Sequence, residues 1–205
     1  MLFTDWMGLS GLALVWLLFA LRLPYAQRLD GKRRALLAGL GYVLVMFPVA
    51  GWSLTIWLRG MVGDLSITSM LLLSVAVYAR LFKVTPPWDA RERSALLGFL
   101  AVLALLLYPF ALGLGSLDPY RSGYGGVALL LMLALLALWL MRRGLYLLPL
   151  VFALAATGWS FNVLESTNLW DYLIDAPLAI YALWVTIKVN LQYVLRRKRV
   201  QPDAQ

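Results

Sequence analysis

Apolar stretches follow one another along the chain with only short polar, basic or glycine-rich interruptions. A helix that crosses the hydrocarbon layer of a bilayer needs about 20 predominantly apolar residues. The pattern predicts an all-α, polytopic transmembrane bundle of seven helices, with spans near 6–23, 35–58, 65–82, 95–114, 127–141, 145–161 and 169–193. The whole chain, 1–205, is expected to be a single transmembrane domain that ends in a basic cytoplasmic tail over 196–205. Between the fifth and sixth spans only Arg142, Arg143 and Gly144 interrupt the apolar run. Two arginines followed by a glycine favour a tight hairpin over one unbroken helix.

The basic residues fix a direction. Arg22, Arg28, Lys32, Arg33 and Arg34 follow the first span; Arg80, Lys83, Arg91 and Arg93 follow the third; Arg142 and Arg143 follow the fifth; Lys188 and Arg196 to Arg199 lie at the end. The intervening loops hold only Arg59 and Arg121. By the positive-inside rule the C-terminus and three loops face the cytoplasm and the N-terminus lies outside. Merging the fifth and sixth spans would put the basic tail on the wrong side. The acids divide the other way, with Asp5, Asp64, Asp118, Glu165, Asp171 and Asp175 on the outer side.

Composition agrees with a lipid solvent: the chain is 62% hydrophobic and 14% charged, with a mean hydropathy of +0.80, against roughly a quarter charged for a soluble domain. The formal charge of +8 sits in clusters at the ends of apolar runs. It is therefore expected to meet anionic lipid headgroups at the cytoplasmic face, and no nucleic acid. The chain has neither cysteine nor histidine. That removes thiolate nucleophiles, thiolate metal sites and the usual haem ligand and general base, and no cofactor is expected. The start of the chain carries Asp5 and no basic residue ahead of the first apolar run, so the first helix is expected to persist in the mature protein.

Polar chemistry concentrates in 159–175, which holds Trp159, Asn162, Glu165, Asp171 and Asp175. If the seventh span begins near Leu169, Asp171 and Asp175 share a helical face, and Asp175 lies about 6 Å deeper. An ionisable group at such depth is a functional candidate, although an acid near a helix N-terminus also suits the helix dipole. The segment 116–126 supplies Asp118 and Arg121 in a turn rich in proline and glycine. Arg121 is expected either to pair with Glu165, Asp171 or Asp175 or to bind an anionic group through its planar fork. Pro48, Pro109, Pro149 and Pro177 lie within or near spans, where each can kink a helix.

Gly51, Trp52 and Ser53 recur as Gly158, Trp159 and Ser160, with Asp64 and Asp171 each twelve residues after the tryptophan. Arg33 with Arg34 and Arg142 with Arg143 open the two spans concerned. Spans one to three and five to seven would then be parallel repeats around a central span, a 3+1+3 plan that resembles that of SWEET-type sugar carriers in architecture, without a SWEET signature at matching positions. In such a plan Trp52, Trp159, Thr55 and Asn162 are candidates to hold a small polar solute near the midplane. Otherwise the tryptophans anchor the protein at headgroup level.

The leading expectation is a small-solute carrier in a plasma membrane, with a site open to the outer face and substrate-binding candidates Trp52, Trp159, Asn162, Glu165, Asp171, Asp175, Asp118 and Arg121. No catalytic residue and no metal ligand is assigned, and transport would rely on a gradient or on a separate energising subunit. One alternative is a non-catalytic membrane subunit of a cell-envelope or lipid-processing complex, packed on a protein partner or on a second copy. The other is an enzyme acting on a lipid-linked substrate at the outer leaflet, with Asp118, Arg121, Glu165, Asp171 and Asp175 as its acid, base and phosphate-binding groups. Short loops and the absence of an Asn-x-Ser/Thr sequon suit a bacterial inner membrane.

Overall fold

Helix starts are written locally in this chain. Asp30, Ser53, Ser66, Asp89 and Asn168 each stand just before a helix, and each side chain accepts a hydrogen bond from an N–H of the first turn, satisfying donors that the helix itself leaves open. The computed structural model describes residues 3–49 and 51–200. Among these the chain is all-α, with α1 Phe3–Ala20, α2 Pro24–Arg28, α3 Gly31–Met46, α4 Leu54–Val62, α5 Ile67–Phe82, α6 Ala90–Ala111, α7 Val127–Arg142, α8 Leu147–Ser160, α9 Leu169–Leu173 and α10 Ala176–Val200. A short 3-10 turn, Pro119–Gly123, lies between α6 and α7. Two helices, α1 and α6, are long and apolar enough to cross a membrane, while α5, α7 and α8 are apolar but shorter. Of the expected basic tail, the backbone to Val200 belongs to α10, and residues 201–205 lie outside the described residues.

Two expected helices are broken. The run 35–58 divides into α3 and α4, because Pro48 disfavours helical backbone at Phe47, which is extended. The chain then reverses, with Val49 and Trp52 exchanging backbone hydrogen bonds of 2.7 and 3.0 Å and Gly51 at a φ of 85°. The run 169–193 also divides: α9 stops at Leu173, Ile174 is extended, and α10 begins beyond Asp175. Asp171 and Asp175 therefore do not share one helical face. Among the four prolines, Pro48 ends a helix, Pro149 and Pro177 sit in first turns, and only Pro109 lies inside a helix. The expected hairpin between α7 and α8 is present, with Gly144 in the left-handed region at a φ of 71°.

Packing divides the helices into two groups. Leu96, Leu100, Val151, Ala155, Leu173 and Ala182, from α6, α8, α9 and α10, are at most 1% exposed and belong to the larger core. A smaller cluster joins Leu17 and Leu21 of the α1 end, Ala38 of α3 and Val77 of α5. Helix α5 is the seam, since its Ile67, Met70, Leu71 and Leu72 pack against the larger core. Helix α6 packs with α10 and α8. Outward faces stay apolar, as with Leu36, Leu40, Val43 and Leu44 on α3 and Leu131, Leu135, Leu138 and Trp139 on α7.

Connections collect at two ends. At one end Arg34, 3% exposed, donates to the carbonyls of Ala26 and Leu29 and to those of Arg80 and Leu81 at the close of α5. At the same end Glu92 accepts from the N–H groups of Tyr146 and Leu147, and Arg91 donates to the Arg143 carbonyl. The three basic loops are thus tied to one another. At the other end Arg59 and Tyr120 join the acidic loops.

Candidate functional site

The acidic end is organised around Arg59, in the last turn of α4. Gly63, with a φ of 75°, ends that helix and turns the chain back, so that Asp64 faces the guanidinium in a bidentate pair at 2.7 and 2.9 Å. Asp5 of α1 lies 3.1 Å from the same group, and Glu165, from the α8–α9 connection, lies 2.8 Å from it. Gly8 makes room for this cluster, because a β-carbon there would meet the Asp64 carboxylate. The pair with Asp64, supported by Asp5 and Glu165 against the opposing effect of burial, holds the Arg59 pKa above its ordinary value.

A second set of contacts fixes the remaining acids. Asp171 accepts from the Tyr120 hydroxyl, at 2.7 Å to both oxygens, and from the Ser166 hydroxyl. Burial, then the bond to Asp171 and its charge, raise the pKa of the Tyr120 phenol well above its usual value. Asp175, only 8% exposed, accepts from the N–H and hydroxyl of Ser66 with one oxygen and from the N–H of Leu178 with the other. The α8–α9 connection itself is pinned by the Trp159 indole N–H, which donates to the Thr167 carbonyl at 2.7 Å.

Between these acids lies a cavity of about 340 Å³, lined by Asp64, Glu165, Asp171 and Asp175 together with Tyr108 and Ser166. Among the described residues no group of three or more acids is arranged to hold a metal ion. The cavity can still attract a positive group: of the four carboxylates on its wall, Asp64 and Glu165 pair with Arg59, while Asp171 and Asp175 make no ion pair among the described residues. Low-dielectric walls concentrate such a field.

Of the residues expected to form a site, the cavity brings together Glu165, Asp171 and Asp175. Trp52 is exposed in the turn between α3 and α4, and Trp159 fastens a loop, so neither lines this cavity. Asn162 has a φ of 49° and takes the left-handed position that ends α8, where glycine or asparagine is favoured. Asp118 accepts from the Arg121 N–H and caps the 3-10 turn. The Arg121 guanidinium makes no ion pair among the described residues; Arg59 takes Glu165 instead. The two Gly-Trp-Ser motifs differ in backbone setting, one in a reversing turn and one at the end of a helix. Thr55 is buried and its hydroxyl bonds the Val45 carbonyl.

Sequence reasoning left out Arg59, Asp64, Ser66 and Tyr108 as lining or organising groups. A usable signal was present: Arg59 is an outward arginine five residues ahead of an acid. Comparison with protein families, curated proteins and solved structures finds nothing that matches this chain.

Proposed function

We propose that the chain is an integral plasma-membrane protein of seven crossings, with its N-terminus outside, and that it is a carrier whose outer acidic cavity admits a small cationic solute. The crossings are assigned to α1, α3, α5, α6, α7, α8 and α10, with α4 and α9 lying near the outer surface. Support comes from two helices of spanning length, three shorter apolar helices and outward faces of leucine and valine larger than soluble monomers usually expose. The gathering of basic loops at one end and acidic loops at the other, through Arg34 and Arg59, agrees with the positive-inside direction.

One observation carries the solute reading: a cavity of about 340 Å³ with four carboxylates on its wall, open at the acidic end. An organic ammonium group is the chemistry that such a wall recognises. The test is titration of the protein in lipid nanodiscs with choline, spermidine, glucose and glutamate, read by calorimetry. The cationic probes are expected to bind, the others not, and Asp171→Asn is expected to weaken binding about tenfold, the loss of one charged hydrogen-bond acceptor. Equal heats for all four probes, or none, remove the cation site.

A second reading is a non-catalytic subunit of a membrane complex. It is favoured by the fact that each cavity acid already has donors within the protein, as in a clamp that fastens two helix groups. In that case the titration returns nothing while loss of Arg59 still lowers stability. The enzyme alternative loses ground because the Arg121 guanidinium makes no ion pair among the described residues and does not line the acidic cavity.

A further inference from the structure

A larger cavity, about 550 Å³, lies between α1 and α5 on one side and α6 and α10 on the other. Its wall is apolar along most of its length, with Leu18, Leu72, Leu73, Ala76 and Leu97. One end is different: Arg22 from the turn after α1, Arg80 from α5 and Arg93 from α6 stand around it with Trp88. This is the end at which Arg34 gathers the basic loops.

The three arginines have no counter-charge among the described residues. The Arg22 guanidinium makes no hydrogen bond or ion pair there, that of Arg80 reaches only the carbonyl of Ala76 in its own helix at 3.5 Å, and that of Arg93 donates to the Tyr181 hydroxyl. The described acids of that end are turned elsewhere. Asp30 pairs with Arg33, Asp89 caps α6, and Glu92 caps α8. Three guanidiniums at the mouth of an apolar cavity ask for a ligand with an anionic head and a hydrocarbon tail.

Length agrees with that occupant. From Ser69 to Arg80, both on the wall, the cavity follows α5 for about 16 Å at 1.5 Å per residue. That is close to half of a hydrocarbon layer of about 30 Å, the reach of an acyl chain in one leaflet. Val15 and Tyr181 line the cavity and are exposed, so a chain can enter sideways. Basic pockets between spanning helices on the cytoplasmic side suit phosphate headgroups, which arginine forks bind in bidentate fashion.

We propose that this groove binds one anionic phospholipid of the inner leaflet, with its phosphate held by Arg22, Arg80 and Arg93 and an acyl chain laid along α5. The site rests on the membrane reading and is independent of what the outer cavity holds. The experiment is native mass spectrometry and thermal denaturation of the detergent-purified protein with phosphatidylglycerol, with phosphatidylcholine of the same chains, and with inorganic phosphate. Phosphatidylglycerol is expected to remain bound and to raise the melting temperature, and the other two are not. Each of Arg22→Gln, Arg80→Gln and Arg93→Gln is expected to weaken that binding about fivefold, whereas Arg28→Gln and Arg33→Gln, at the same end but off the groove, leave it unchanged. Ala76→Phe, which fills the apolar wall and keeps every charge, is expected to abolish retention of the lipid. Equal binding of phosphatidylcholine, a shift with phosphate alone, or equal losses in the off-groove variants overturns the site. A chain released from membranes by carbonate without detergent overturns the membrane reading itself.

Discussion

The carboxylate of Asp175 holds both the backbone N–H and the hydroxyl of Ser66, at 2.8 and 2.7 Å, and so ties the start of α5 to the start of α10. Its second oxygen receives the Leu178 N–H at 2.8 Å. One buried side chain thus serves the N-termini of two helices from different halves of the molecule. Hydrogen bonds to charged groups contribute about 1.5–3 kcal/mol each. Asp175→Ala, which strands three donors, is expected to cost about 3 kcal/mol or more. Asp175→Asn should cost less and Ser66→Ala least, because the backbone N–H bond survives. Thermal denaturation in detergent, followed by tryptophan fluorescence, gives this order. An Asp175→Ala protein as stable as the parent would show that the contact does not join the halves.

Arg59 makes a separate prediction. Its guanidinium is the shared partner of Asp5, Asp64 and Glu165, with the side chain 21% exposed. Breaking a fully buried pair costs about 3–5 kcal/mol, and partial solvent access reduces that to about 2 kcal/mol for Arg59→Gln. Glu165, 58% exposed, is expected to give under about 1 kcal/mol when changed to glutamine. In a double-mutant cycle the two losses should fall short of additive. Strict additivity would mean that the Arg59 to Glu165 contact contributes nothing.

How far the sequence reaches is visible at Arg59 and at Arg34. Helix starts carry a local mark in their caps, as at Asp30 and Asp89, but the expected spans followed hydropathy alone and began at 35 and 95 instead of at the capped starts. Helix ends carry no such mark, because Phe47, Val49 and Leu54 continue the apolar run across the Pro48 break. In a chain apolar on every face, hydropathy does not record where the backbone turns. The cluster of Glu165, Asp171 and Asp175 was anticipated from a polar stretch, but its arginine was sought at Arg121, its neighbour in a loop of the same end. Arg59 meets Asp5 and Glu165 only through tertiary packing, across sequence separations that periodicity does not encode. Arg34 was expected to mark topology, yet its side chain is buried against four carbonyls.

The direction of the chain is open to chemical labelling, since the protein has no native cysteine. Single replacements Ser116→Cys, between α6 and α7, and Lys32→Cys and Arg142→Cys, at the basic end, sample both sides. An impermeant maleimide added to intact cells is expected to label Ser116→Cys at once, and the other two only after the membrane is opened. If Arg142→Cys labels from outside while Lys32→Cys does not, then α7 and α8 do not both cross and the seven-crossing topology fails.

The phenol of Tyr120 supplies a prediction in pH. Burial and the bond to Asp171 raise its pKa in the folded protein, while an unfolded tyrosine titrates near about 10. Below that value both states hold the proton, and this group makes no contribution to the pH dependence. Above it the unfolded chain releases the proton while the folded protein keeps it, so the unfolded state binds fewer protons and stability falls as pH rises. Tyr120→Phe removes the titrating group along with the bond to Asp171. The stability advantage of the parent over Tyr120→Phe should therefore be constant from about pH 7 to 9 and shrink through pH 10 to 11. Melting temperatures of the two proteins measured in parallel across that range cancel the contributions of the other tyrosines. An advantage that stays flat to pH 11 would mean that Tyr120 titrates in the folded state as it does in water, and that the hydroxyl seen at 2.7 Å from both Asp171 oxygens is not held there in solution.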